Sequence, residues 1–296
     1  MAVGLAWLPI LTVVISFTAV IITYGLGISL GHVDAFFPYI SDAGAEYPES
    51  SLFSFLFDVV ALLVLANVYI QYLLINTYCS HMGISDRTRS VKCLRSINTS
   101  CLLLGIVASC GVTIIANFPV DENIYIHLLG AVLCFTSALI FCFLHSWMSY
   151  RIQSETISPF LTACRVMLSV ANLAAYTMVV IYGNILRWNV TEEFPMMRYR
   201  RISAGCEWFF VIDLNLFFLT YTKEFSRVDL SLKLLFLDQT NNSWNVELPN
   251  DLIQRLSGDI SVSSERAMTG HLGCLCRVGG KLLRKVKSQR KPVSNV

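Results

Sequence analysis

Six stretches of predominantly apolar residues, each about twenty residues or longer, constrain this chain more than any other feature. They cover residues 5–30, 52–78, 94–118, 124–150, 160–186 and 203–221. A run of that length matches a hydrocarbon layer about 30 Å thick. Inside such a layer every backbone N–H and C=O must find its partner within the protein, so only helices and closed barrels qualify. Continuous apolar runs, rather than alternation, select helices. The predicted fold is an all-α integral membrane protein with six transmembrane helices. Only 14% of the residues are charged, against about 25% in soluble domains, which excludes an ordinary soluble globule. The first run has no basic n-region and exceeds the roughly 7–15 residues of a signal h-region, so it reads as a retained span.

The loops give an orientation. Residues 31–51 carry Asp34, Asp42, Glu46 and Glu49 with no Lys or Arg, whereas residues 79–93 carry Arg87, Arg89 and Lys92 against Asp86. The excess of Lys and Arg in cytoplasmic loops places the second and fourth loops, and both termini, in the cytosol. The first, third and fifth loops then face the lumen or exterior. Arg187, Arg198, Arg200 and Arg201 in the fifth loop oppose this reading, while the sequon at Asn189 in the same loop supports it. Trp7, Trp147, Trp188 and Trp208 fall near span ends, as an interfacial aromatic belt expects. Gly27 and Gly31 form a GxxxG, which is either a close-packing face or the ordinary glycine content of a membrane helix.

Ionisable residues inside a span are costly and mark functional hypotheses. Asp58, Asn117, His127 and Glu207 fall at similar depth near the lumenal side, where Arg200 or Arg201 is a candidate counter-charge. Asn67, Asn172 and Asp213 form a second polar set near mid-membrane. The plain alternative for both sets is interhelical hydrogen bonding; a lipid-headgroup or ion site is the functional one. His127 is the candidate sensor of an acidic lumen. Motifs for zinc peptidases, serine hydrolases and P-loops are absent, and His32 with Ser41 and Asp42 makes only a weak triad candidate. No CxxC or zinc spacing occurs among the ten cysteines. We therefore expect no catalytic residues, no metal and no cofactor.

The domain boundary is expected near residue 226, with residues 227–296 forming a partly disordered cytosolic tail. Residues 223–296 hold twelve Lys and Arg against seven Asp and Glu. Within the stretch 271–291, Arg277, Lys281, Arg284, Lys285, Lys287, Arg290 and Lys291 are interleaved with leucines. That pattern fits either contact with an anionic leaflet or a solvated tail. Cys274 and Cys276 beside it are candidate palmitoylation sites. Membrane lipids, including anionic phospholipid at the tail, and membrane or cytosolic proteins are the expected partners; nucleic acid is not.

Several motifs occur together in order. Loop one reads Phe37-Pro38-Tyr39-Ile40-Ser41-Asp42-Ala43-Gly44, followed by Pro48-Glu49. The third span ends Ile115-Ala116-Asn117-Phe118, and the fourth carries His127 and Gly130-Ala131. The sixth holds Cys206-Glu207-Trp208, then Phe217-Phe218-Leu219-Thr220-Tyr221 and Lys223-Glu224-Phe225. Over residues 5–230 this resembles the DRAM family of damage-regulated autophagy modulators, within the wider Frag/DRAM/Sfk group. The resemblance implies a non-enzymatic six-helix protein of lysosomal or endosomal membranes that promotes autophagy and, in some members, cell death. Related branches imply two alternatives, a plasma-membrane scaffold for phosphoinositide kinases and a Golgi or ER factor in GPI-lipid remodelling. A transporter or channel is a further alternative. The motif positions Ser41, Asp42, Gly44, Pro48, Glu49, Asn117, His127 and Glu207 carry the resemblance. Cys206 departs from the alanine common before Glu-Trp, and the tail has no counterpart in the family.

Overall fold

In the computed structural model, the described residues are 4–83, 89–152, 157–186 and 193–228. Six of their helices are long and apolar enough to cross a membrane. These are α1 (Trp7–Leu30), α2 (Glu49–Gly83), α3 (Arg89–Asn117), α4 (Ile124–Ile152), α5 (Pro159–Met178) and α6 (Glu193–Leu219). A π-helical segment, Val179–Leu186, continues α5, and a final turn, α7 (Thr222–Phe225), follows α6. No strand occurs among the described residues. The Asn189 sequon, Cys274, Cys276 and the basic stretch 271–291 lie outside them.

Each helix packs on its neighbour in sequence, and α6 returns to α1, which closes a ring of six. The Leu5 N–H donates to the Val228 carbonyl (3.1 Å), so the two ends of the bundle meet at one end. Only 22–39% of each span's most apolar window is buried inside the protein. Outward-facing Leu62, Met167, Phe160 and Tyr125 are 68%, 71%, 77% and 84% exposed, an apolar exterior suited to lipid. The interior combines apolar clusters, with Val68, Phe141, Met148 and Phe217 among them, and buried polar side chains. Along α5 the buried residues are Thr162, Arg165, Ser169, Asn172 and Ala175, at the 3–4-residue spacing that gives a helix one face.

Local chemistry sets the helix ends. The Ser158 side chain caps α5 by accepting from the Leu161 N–H (3.2 Å), with Pro159 at the first helical position. Gly31 ends α1 in the left-handed conformation at φ 79°. The GxxxG therefore does not make a helix-packing face. Gly31 is the cap, with open space around it, and Gly27 sits beneath Val33 and Glu49, where loop one folds back onto α1. The close helix approach lies elsewhere. A Cβ on Gly111 of α3 would stand 2.5 Å from the Cys134 backbone nitrogen of α4, and one on Gly130 would stand 2.7 Å from Ile114.

Three helices extend past the apolar windows. Helix α2 begins at Glu49 and continues to Gly83, α3 begins at Arg89, five residues before its apolar run, and α6 begins at Glu193, ten residues before its own. Hydropathy detects the membrane-embedded part of a helix, and these helices extend past it. Arg198, Arg200 and Arg201 are consequently helical residues of α6 rather than loop residues.

Candidate functional site

Loop one is held to α1, α2 and α6 by several side-chain contacts. Its centre is a 3-10 turn, Ser41–Gly44. Asp42 accepts from the Tyr39 N–H (2.8 Å), as a short acidic side chain does in a tight turn, and pairs with Arg200 of α6 (2.7 Å). Arg201 reaches Asp34 (3.5 Å). The Trp208 indole N–H donates to the Pro38 carbonyl (2.9 Å). Gly44 is buried against the Phe53 ring, where an added Cβ would stand 2.3 Å from the nearest ring carbon, so no side chain fits. Pro48 follows Tyr47 through a cis peptide. Glu49, fully buried at the start of α2, receives His32 Nδ1 at 2.5 Å, and Glu46 lies 3.6 Å from His32 Nε2. The hydrogen bond to Glu49 holds the His32 pKa above its usual value. His32, Ser41 and Asp42 do not assemble as a triad: His32 engages Glu46 and Glu49, and Asp42 engages Arg200.

The four residues expected in one polar layer separate into two places. Asp58 and Asn117 bond each other, with Asn117 Nδ2 3.1 Å from both carboxylate oxygens, at an exposed position between α2 and α3. His127 and Glu207 instead line a cavity of about 120 Å³ among α1, α2, α3, α4, α6 and the loop-one turn. Glu207 accepts from the Ile40 N–H (3.3 Å) and so ties loop one to α6. His127 Nδ1 bonds the Phe118 carbonyl (2.9 Å), an acceptor, so that nitrogen carries the hydrogen. Neither Arg200 nor Arg201 supplies the counter-charge expected for this layer, because each is engaged by a loop-one aspartate.

The mid-membrane set also divides. Asn172 of α5 bonds Asp213 of α6, whereas Asn67 of α2 donates to Thr12 of α1 (2.7 Å). Both contacts are interhelical hydrogen bonds, the plain alternative considered for these residues.

A third cluster lies toward the end where the two termini meet. Arg165 of α5 is fully buried and donates to Ser149 (2.7 Å), to Thr220 Oγ1 (2.9 Å) and its carbonyl (3.2 Å), and to Glu224 (2.5 Å). Gln71 of α2 donates to the other Glu224 oxygen, and the guanidinium lies 4.9 Å from the centre of the Tyr221 ring. The Lys223-Glu224-Phe225 run is visible as a motif in the sequence, but nothing in the sequence joins it to Arg165. The available signal was a lone arginine on an otherwise small and polar stripe, with one carboxylate just past the last span. Gln71 gave no signal. Among the described residues no group of three or more His, Cys, Asp or Glu is placed to hold a metal.

The sequence model of the Frag1/DRAM/Sfk1/Cwh43P N-terminal domain matches residues 4–228. The chain belongs to this family. It is 30% identical over 234 residues to human DNA damage-regulated autophagy modulator protein 1, covering 77% of this chain and 94% of that protein. It is 28% identical over 243 residues to the rat DNA damage-regulated autophagy modulator protein 2, covering 78% and 87%. Transmembrane protein 150A of Xenopus laevis is 29% identical over 191 residues, covering 64% and 62%. No solved structure matches the chain. The family region coincides with the helical bundle, so the motifs of loop one, α3, α4 and α6 described above are parts of one shared domain.

Proposed function

We propose that this chain is a non-enzymatic modulator of autophagy in lysosomal or endosomal membranes, acting through lipid or protein partners. The observation that carries this reading is relatedness over 94% of the length of an autophagy modulator, in a chain whose family domain, residues 4–228, spans the six-helix bundle. In this reading the loop-one end faces the lumen and both termini are cytosolic, as the distribution of Lys and Arg favours. The solvent-accessible histidine between two carboxylates at that end, His32, suits an acidic lumen. The basic stretch 271–291, which includes Cys274 and Cys276, would lie on the anionic cytosolic leaflet.

The test is autophagic flux in cells depleted of the protein and resupplied with it. Flux falls on depletion and returns with the unsubstituted chain. Asp42→Ala, which releases Arg200 and the Ser41–Gly44 turn, fails to restore it and lowers the protein's abundance. Unchanged flux on depletion would overturn the reading. A second reading, lipid handling, has its own support in the apolar cavity that carries Glu207 and His127 at one end.

A further inference from the structure

The arginines at the start of α6 divide by direction. Arg200 turns toward loop one and pairs with Asp42. Arg198 and Arg201 are exposed on a different face, which they share, at three- and four-residue spacing, with Gly205, Phe209, Ile212 and Leu216. The last three are 39–51% exposed and belong to the apolar exterior. One face of α6 thus runs from hydrocarbon to positive charge. Measured from Asp213 as mid-membrane, Gly205 stands about 12 Å along the helix, Arg201 about 18 Å and Arg198 about 22 Å. The hydrocarbon core ends about 15 Å from its centre and the head groups at about 20–22 Å, so both arginines fall at head-group level.

Loop one adds an aromatic pair to this face. The Phe37 ring lies over Gly205, its Cδ1 3.9 Å from where a Cβ would stand, and the Arg201 guanidinium is 5.1 Å from the centre of the Phe36 ring. The two rings meet edge to face, yet Phe36 and Phe37 remain 57% and 52% exposed. The loop backbone is fixed around them. Asp34 accepts from the Phe36 N–H (3.1 Å), the Tyr24 hydroxyl donates to the Ala35 carbonyl (3.1 Å), and Phe37 has φ 51°, a conformation that bulky residues rarely adopt. Such strain persists only where the surroundings enforce it, and here it accompanies two phenyl rings that face outward. The charge on this flank is suited to an anion. Among the described residues no carboxylate pairs with Arg198. Arg201 meets Asp34 only at 3.5 Å with both side chains about half exposed, a pair that contributes little. Two arginines and one aspartate leave a single net positive charge, the counter-charge of one phosphodiester.

We propose that this flank of α6 binds an anionic phospholipid of the leaflet at the loop-one end, with its phosphate between Arg198 and Arg201 and an acyl chain along Phe37, Gly205 and Phe209. The bound lipid packs against loop one as well as α6, and so ties the position of the loop to the composition of that leaflet. It also gives a physical role to basic residues that stand against the charge pattern of the other loops on this side. The inference rests on the outer surface of the bundle and is independent of the autophagy reading; its failure leaves the flux experiment unaffected.

The experiment uses the full chain in phosphatidylcholine nanodiscs that contain either photoactivatable phosphatidylglycerol or photoactivatable phosphatidylcholine at the same mole fraction. The label is located by peptide mapping, which keeps lipid bound at the basic stretch 271–291 out of the comparison. Phosphatidylglycerol is expected to label residues 34–38 and 197–209 saturably and about fivefold above phosphatidylcholine, the size expected of one basic residue at an anionic surface. At a lipid-facing residue away from this flank, such as Met167, the two probes should label equally. Arg198→Gln, a change at an exposed residue, should bring the phosphatidylglycerol label at 34–38 and 197–209 down to the phosphatidylcholine level. The map on the unsubstituted chain decides the question even if that variant does not fold. Equal labelling of these residues by the two probes, label that rises with mole fraction without saturating, or a preference unchanged by Arg198→Gln would each overturn the proposal.

Discussion

The ion pair between Arg165 and Glu224 shows how much a single residue can commit in this interior. Arg165 has no exposure and meets four groups from α4 and from the segment that follows α6. Removing one partner of a buried pair leaves an uncompensated charge, at a cost of about 3–5 kcal/mol. Arg165→Met should therefore lower the melting temperature and yield of the purified protein sharply. Arg165→Met combined with Glu224→Gln should recover part of the loss, because the double variant no longer buries a bare carboxylate. A double variant as damaged as the single one would show that the pair is not coupled. At the opposite end His32 makes a pH-dependent contact. Its pKa is raised by Glu49, so the contact contributes fully below the ordinary histidine value near 6.5 and is lost as pH rises through the raised one. Thermal stability of the full chain should thus gain from His32 at acidic pH and less at alkaline pH. Melting curves of His32→Gln beside the unsubstituted chain should converge as pH rises; a constant gap would refute the contact's role. The sequence made Glu49 visible through its motif but showed His32 only as a member of a weak triad. Their pairing depends on Gly31 turning the chain back over Gly27, a backbone event that hydropathy does not register.

At the scale of elements, the spans were legible because their signal is long and continuous, and the packing between them was not. Of the GxxxG pair, Gly31 is a helix cap and Gly27 lies under loop one, while the backbone-to-backbone approach is between Gly111 and Gly130. Every membrane helix carries some glycine, and only the crossing of α3 with α4 distinguishes one that is needed. Gly111→Ala would press a methyl group against the α4 backbone and should destabilise by about 1–3 kcal/mol, as overpacking does. Gly25→Ala, with nothing within 4 Å of the added carbon, should not destabilise. Comparable losses in detergent melting for the two variants would contradict this account of the crossing. The start of α6 was hidden for another reason. Residues 193–202 are charged and therefore resembled a loop, yet helical spacing is what lets Arg200 and Arg201 reach Asp42 and Asp34. Depth alone grouped Asp58, Asn117, His127 and Glu207; the direction each helix faces separates them into an exposed pair and a cavity wall.

Within residues 4–228 six helices form a ring with an apolar exterior and a core of apolar clusters and buried polar side chains, and loop one is fastened across one end. The sequence conveyed the span number, the family and the motif that became this fastening. It could not convey the cavity, which exists only where five helices and a turn meet. Orientation is a whole-molecule property too, and the account predicts that Asn189 is glycosylated. Endoglycosidase should increase the mobility of the full chain on a gel, and Asn189→Gln should abolish the shift; modification at Asn241 in the tail instead would reverse the topology.

Imaging the full chain, fluorescently tagged and beside the same chain ended after Arg227, against lysosomal and plasma-membrane markers tests the central claim most directly. The account predicts lysosomal signal for both, with the address carried by the bundle shared with the autophagy modulators. Plasma-membrane signal for both chains would contradict it.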